Sequence, residues 1–167
     1  MNKIEKLVVG AFALLGMTTS VNADTYTLVS QGSSSSPVEF SDPANWTVEG
    51  VAATTYPQPG DTIVFGTGNT LYLMHLSLDG DYEISGVTQG FNSPCLYKSA
   101  SASSDTVSLT FTGTVGGSAY QYYYANGGTK LVFAAGSTLK CATGDWSESR
   151  AYVTQTGEID VLGLHLP

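Results

Sequence analysis

Three carboxylates stand at alternate positions in Asp79-Gly80-Asp81-Tyr82-Glu83. Hard divalent cations take oxygen ligands, so Asp79, Asp81 and Glu83 form a candidate calcium site. The competing reading is a solvated turn, because Asp-Gly is itself a turn signal between strands. Aromatic groups concentrate in Tyr120-Gln121-Tyr122-Tyr123-Tyr124. Tyrosine faces give contact area at low conformational cost and stack on sugar rings. Strand alternation puts Tyr120, Tyr122 and Tyr124 on one face, and Trp146, Tyr97 and Tyr152 join them if successive strands stack. Tyr120, Tyr122, Tyr124 and Trp146 are therefore candidate ligand-binding residues, with cross-strand packing as the alternative role.

The remaining reactive side chains assemble into no catalytic pattern. His75 lies inside an apolar run and His165 near the last residue. A serine nucleophile needs a sharp turn, and no Gly-x-Ser-x-Gly occurs. A hydrogen-bonded strand histidine is the expectation for His75, and no catalytic residue is assigned. Cys95 and Cys141 are expected to bridge, provided the chain enters an oxidising compartment. Such a disulfide would close a loop of 47 residues, worth about 4 kcal/mol in the chain-entropy account. Two free thiols are the alternative. Without neighbouring histidines the pair makes no zinc site, and no cofactor other than calcium is expected.

The compartment is read from the first residues. Lys3 and Lys6 precede an apolar stretch from Leu7 to Met17, and Val21 and Ala23 have the spacing of a cleavage site. Residues 1–23 are expected to be a secretory signal peptide, too short in its apolar part to span a bilayer. Removing them takes away Lys3, Glu5 and Lys6. The mature chain then holds 13 acids and four bases (Lys98, Lys130, Lys140 and Arg150), a net charge of −9. Such a chain repels phosphate backbones and anionic head groups, so no nucleic-acid partner is expected. No transmembrane segment is expected in the mature chain.

From Asp24 onward, short β-branched and aromatic runs alternate with Gly, Asn, Asp and Ser. The pattern predicts all-β structure with strands at Thr25–Val29, Thr62–Phe65, Leu71–Leu78, Tyr82–Val87, Val107–Val115, Lys130–Ala134, Thr138–Cys141, Ala151–Thr154 and Glu158–Leu162. Val107, Leu109 and Phe111 face one way while Ser108, Thr110 and Thr112 face the other. Ile63 with Phe65, and Leu131 with Phe133, repeat this. Leu71–Leu78 is apolar on both faces and is expected to be covered twice.

Runs starting at Thr62, Tyr82, Val107, Lys130 and Ala151 recur at 20, 25, 23 and 21 residues. A period in the low twenties suits the coils of a parallel β-solenoid; a β-sandwich is the alternative fold. The expected organisation is one all-β domain over 24–167. Its N-terminal cap covers about 24–60 and its coils about 61–167. Leu162, Leu164 and Leu166 would leave an open apolar end, so self-association and further coils in a longer protein are also expected.

Phe40-Ser41-Asp42-Pro43-Ala44-Asn45-Trp46 and Pro57-Gln58-Pro59-Gly60-Asp61-Thr62-Ile63-Val64-Phe65 resemble the opening of bacterial surface proteins built as right-handed parallel β-helices. Autotransporter-type passengers with β-strand repeats are among them. The resemblance implies a right-handed β-helix-like fold, with Trp46, Pro59, Gly60 and Asp61 in the cap. It also implies an adhesin-like role at the cell surface, with surface glycans or other surface proteins as partners and no reaction of its own. Two other functions compete with this. One is a secreted carbohydrate-binding module using the tyrosines. The other is a fragment of a β-helix polysaccharide-degrading enzyme.

Overall fold

The computed structural model describes residues 23–65, 73–87, 93–116 and 123–140, and the strand backbones at 153–155 and 158–161. The strands before the main series are β1 (Thr25–Leu28), β2 (Val38–Glu39), β3 (Trp46–Val48) and β4 (Val51–Ala52). The series itself comprises β5 (Thr62–Val64), β6 (Leu73–Leu78), β7 (Tyr82–Ile84), β8 (Gly86–Val87), β9 (Ser93–Lys98), β10 (Val107–Phe111), β11 (Thr114–Gly116), β12 (Tyr123–Ala125), β13 (Thr129–Phe133), β14 (Thr138–Lys140), β15 (Val153–Gln155) and β16 (Glu158–Val161). One turn of 3-10 helix, Pro43–Asn45, is capped by the Asp42 carboxylate on the Ala44 N–H. The described residues are thus all-β, and no helix among them is long and apolar enough to cross a membrane.

Three sheets result. The seven-stranded sheet has the order β14-β11-β8-β5-β1-β3-β4, the five-stranded sheet β15-β12-β9-β6-β2, and the four-stranded sheet β16-β13-β10-β7. From β5 to β16 the chain visits the seven-, five- and four-stranded sheets in fixed rotation. Neighbours within this series are parallel, and each strand pairs with the one 20 to 30 residues on (Leu73 with Ser93, Tyr123 with Val153). Antiparallel pairing among the named strands is confined to β1 with β3 and β3 with β4.

The alternation expected of β10 is present: Val107, Leu109 and Phe111 are buried while Ser108 and Thr110 are partly exposed. β13 repeats it in register, Leu109 against Leu131 and Phe111 against Phe133. The two phenylalanine rings lie 5.5 Å apart. These side chains, with Ile63, Val87, Val115, Leu76, Leu96 and Ile84, belong to one hydrophobic core.

Two expected strands prove to be corners. Tyr82–Val87 breaks at Ser85 into β7 and β8, and Val107–Val115 breaks at Thr112-Gly113 into β10 and β11. The corners stack by main-chain bonds: Ser85 N–H donates to Asp61 O, Gly113 N–H to Ser85 O, and Thr138 N–H to Gly113 O. Neighbouring strands come so close here that a side chain on Gly86 would strike the Thr114 carbonyl. The recurrence inferred from the sequence mixed two sheets, since Thr62 opens a strand of one and Tyr82, Val107 and Lys130 lie in another. Ala151 lies outside the described residues.

Candidate functional site

β6 is not apolar on both faces as expected. Met74, Leu76 and Leu78 enter the core, while His75 and Ser77 point to the opposite side, where Ser77 is nonetheless buried, so that this face is covered in part. In the same sheet, β2 brings Glu39 opposite Ser77, and β9 brings Cys95 opposite His75 and Tyr97 opposite Ser77. β12 adds Tyr124 beside Cys95. Parallel register thus gathers the residues of four strands that face away from the core into a strip, in which Ser77 and Cys95 are buried and Glu39, His75, Tyr97 and Tyr124 half-buried. Its span from β2 to β12 is three interstrand steps of about 4.8 Å, or ~14 Å.

At one end of the strip the Glu39 carboxylate accepts hydroxyls from Ser77 at 2.8 Å, Ser99 at 3.3 Å and Ser101 at 3.5 Å. Glu39 also borders an open depression of about 540 Å³ lined by Gln31, Ser33, Pro37, Asp42 and Asn45. At the other end, His75 Nδ1 lies 2.9 Å from the Tyr97 hydroxyl, with the rings 5.6 Å apart. The Cys95 thiol donates to that hydroxyl at 3.4 Å, and the Asn126 amide reaches Cys95 Sγ at 3.6 Å and the Leu96 carbonyl at 2.7 Å.

Burial disfavours charge on His75 and Tyr97. Burial holds the His75 imidazole below its ordinary value. Burial above all, then contact with Cys95, pushes the Tyr97 phenol up to about 12, while its bond with Asn126 works the other way. With the imidazole proton on Nε2, the thiol donates to the phenol and the phenol to His75 Nδ1. Such a strip offers hydroxyl, amide and carboxylate groups beside aromatic faces, the equipment for binding a hydroxyl-rich ligand.

The sequence-derived candidates are distributed differently. Tyr124 is half-buried on the strip. Tyr120, Tyr122 and Trp146 lie outside the described residues. The three carboxylates diverge: Asp79 accepts from Ser41 at 3.0 Å and from the Tyr82 hydroxyl, Asp81 accepts from Ser108 at 2.7 Å, and Glu83 is exposed on β7. Among the described residues no group of three or more His, Cys, Asp or Glu could hold a metal ion. The expected disulfide is not supported: among the described residues Cys95 is a buried free thiol, turned to Tyr97. Cys141 lies outside the described residues.

The structural candidates are better placed. Trp46 is buried, its indole N–H donating to the Phe40 carbonyl at 2.9 Å, and both Phe40 and Tyr26 meet its ring edge-on. Pro59 and Gly60 occupy the middle of a turn closed by Asp61 N–H on the Gln58 carbonyl. The φ of +97° at Gly60 is the reason glycine stands there. Asp61 is 3% exposed, and its carboxylate accepts the Asp24 N–H at 2.8 Å and the Gln58 N–H at 2.7 Å.

Glu39, Ser77, Ser99 and Asn126 were not singled out from the sequence. The alternation of His75 and Ser77 with Leu76 and Leu78 was the available signal for the outward face of β6. Compared with family models, curated proteins and solved structures, the chain finds no match.

Proposed function

We propose that the chain is an exported β-solenoid segment with an adhesin-like, non-catalytic role at the cell surface. The observation that carries this reading is the fixed rotation of successive strands through three sheets of parallel neighbours. Sandwiches of the common kind are joined from antiparallel strands, which favours stacked coils over two facing sheets. In this reading residues 24–60 are the cap. Its antiparallel strands β3 and β4 lie on the far side of β1 from β5, and with the aromatic cluster they shield that end of the core. The leader-like residues 1–23 and the acidic, lysine-poor composition support export.

The test is expression of the full chain, tagged at its C-terminus, in a Gram-negative host. Recovery outside the cytoplasm without residues 1–23 is the expected outcome. A chain that stays cytoplasmic and keeps its leader overturns the reading.

A second reading, carbohydrate binding, is favoured by the outward strip of Glu39, His75, Tyr97 and Tyr124. It predicts saturable binding of neutral oligosaccharides on a glycan array, lost in both Tyr97→Ala and Tyr124→Ala. Equal signals from the wild type and both variants would sink it.

A further inference from the structure

Asp24 is held at both its main-chain groups. Its N–H donates to Asp61 Oδ1 at 2.8 Å, and its carbonyl accepts the Thr62 N–H at 2.9 Å. The acceptor is a buried side chain with a fixed position, because its other oxygen holds the Gln58 N–H and its own N–H closes the Gln58–Asp61 turn. Residue 24 is also the first residue after the expected cleavage point, Ala23.

Hydrolysis of the Ala23–Asp24 peptide bond consumes one water. It leaves a carboxylate on Ala23 and a free α-amino group on Asp24, which takes up a proton near neutral pH. We infer that leader removal converts the Asp24–Asp61 hydrogen bond into a semi-buried ion pair, so that processing itself locks the first strand β1 onto β5. This rests on the export reading above.

The geometry suits an ammonium. Asp24 is exposed, so the remaining N–H bonds reach water while one stays on Asp61. The bond to the Asp61 carboxylate is charge-assisted already, and a charged donor adds direct Coulomb attraction to it. The titratable groups facing this point are the carboxyls of Asp24 and Asp61 and the Tyr26 phenol. Burial first, then the charges of Asp61 and Asp24, raise the phenol above its ordinary value. A cation placed between them relieves that concentration of negative charge.

The pair favours the protonated amine, so the folded amino group titrates above the ordinary value of about 7.7–8.0. Its stabilisation is complete below that value and is lost as pH rises through the raised one.

The experiment compares three preparations: the processed protein, the same protein acetylated selectively at its amino terminus, and the full chain with its leader intact. Mass spectrometry reads where the processed chain begins. Thermal melts at pH 6.5 are expected to place the processed form about 5 °C above the other two. The gap should close above about pH 10, and NMR titration should give a raised α-amino pKa. In Asp61→Asn the effect of acetylation should vanish; if that variant does not fold, the wild-type amine titration decides alone. A processed chain starting at a residue other than Asp24 would refute the cleavage point. A chain starting at Asp24 with an ordinary amine pKa and equal melts would refute the ion pair and leave export standing.

Discussion

The N-terminal end and the middle of the molecule are held together by different means. In the middle, β10 and β13 lie in parallel register over five residues, and Leu meets Leu and Phe meets Phe. Each strand supplies its neighbour's hydrogen bonds and its neighbour's packing surface. At the N-terminal end, Tyr26, Phe40, Trp46, Tyr56 and Tyr82 form a connected set of ring contacts, and β3 and β4 run antiparallel. Side chains there take over main-chain bonding: the Trp46 indole satisfies Phe40 O and the Asp61 carboxylate satisfies two N–H groups. Repetition in the middle lets each side chain stack on its like in the next strand, Leu on Leu and Phe on Phe. Where repetition stops, larger rings and specific hydrogen bonds replace it.

If this contrast holds, Trp46→Ala is the most damaging change among the four that follow. It removes a buried ring and orphans a buried carbonyl, for a loss of about 4 kcal/mol in urea unfolding. Leu131→Ala deletes one rung of a repeated ladder and should cost about 3 kcal/mol by the same measurement. An equal or greater loss from Leu131 would break the comparison, placing the ladder ahead of the aromatic end.

Gly60→Ala isolates backbone strain, because a side chain there meets nothing within 4 Å while φ is +97°. Its expected cost is about 1 kcal/mol, visible as a small shift in the unfolding midpoint. The smallest effect belongs to the outward strip. The depressed His75 is neutral in the folded protein at a pH where the unfolded chain is already protonated. Stability that is complete above about pH 6.5 should therefore decline as pH falls. The melting temperature of His75→Gln should fall less than that of the wild type between pH 7 and pH 5. Identical slopes would show that His75 carries no proton linkage.

Much of the strand content was legible locally. The Val107–Phe111 alternation needs only the two-residue period of a strand, and Pro59-Gly60 signals its turn through the φ preferences of those two residues. The corners at Ser85 and Thr112-Gly113 were not legible, because a lone Ser or Thr beside a Gly inside a strand-like run does not distinguish a bulge from a bend. The chain bends there without leaving the core, and hydrophobicity does not register the bend. The outward strip was equally hidden, since Glu39, Ser77 and Tyr97 are ordinary residues until register sets them side by side.

The sequence alone determined the all-β character, the inward residues of β10 and β13, and the acidic charge. Each depends on composition or on neighbours a few positions away. Only the tertiary structure decided that Tyr97 meets His75, that Cys95 stays a free thiol beside them, and that Asp24 lies on Asp61. The His75–Tyr97 and Asp24–Asp61 contacts join residues 22 and 37 positions apart, and no local pattern in the chain sets the register that brings them together.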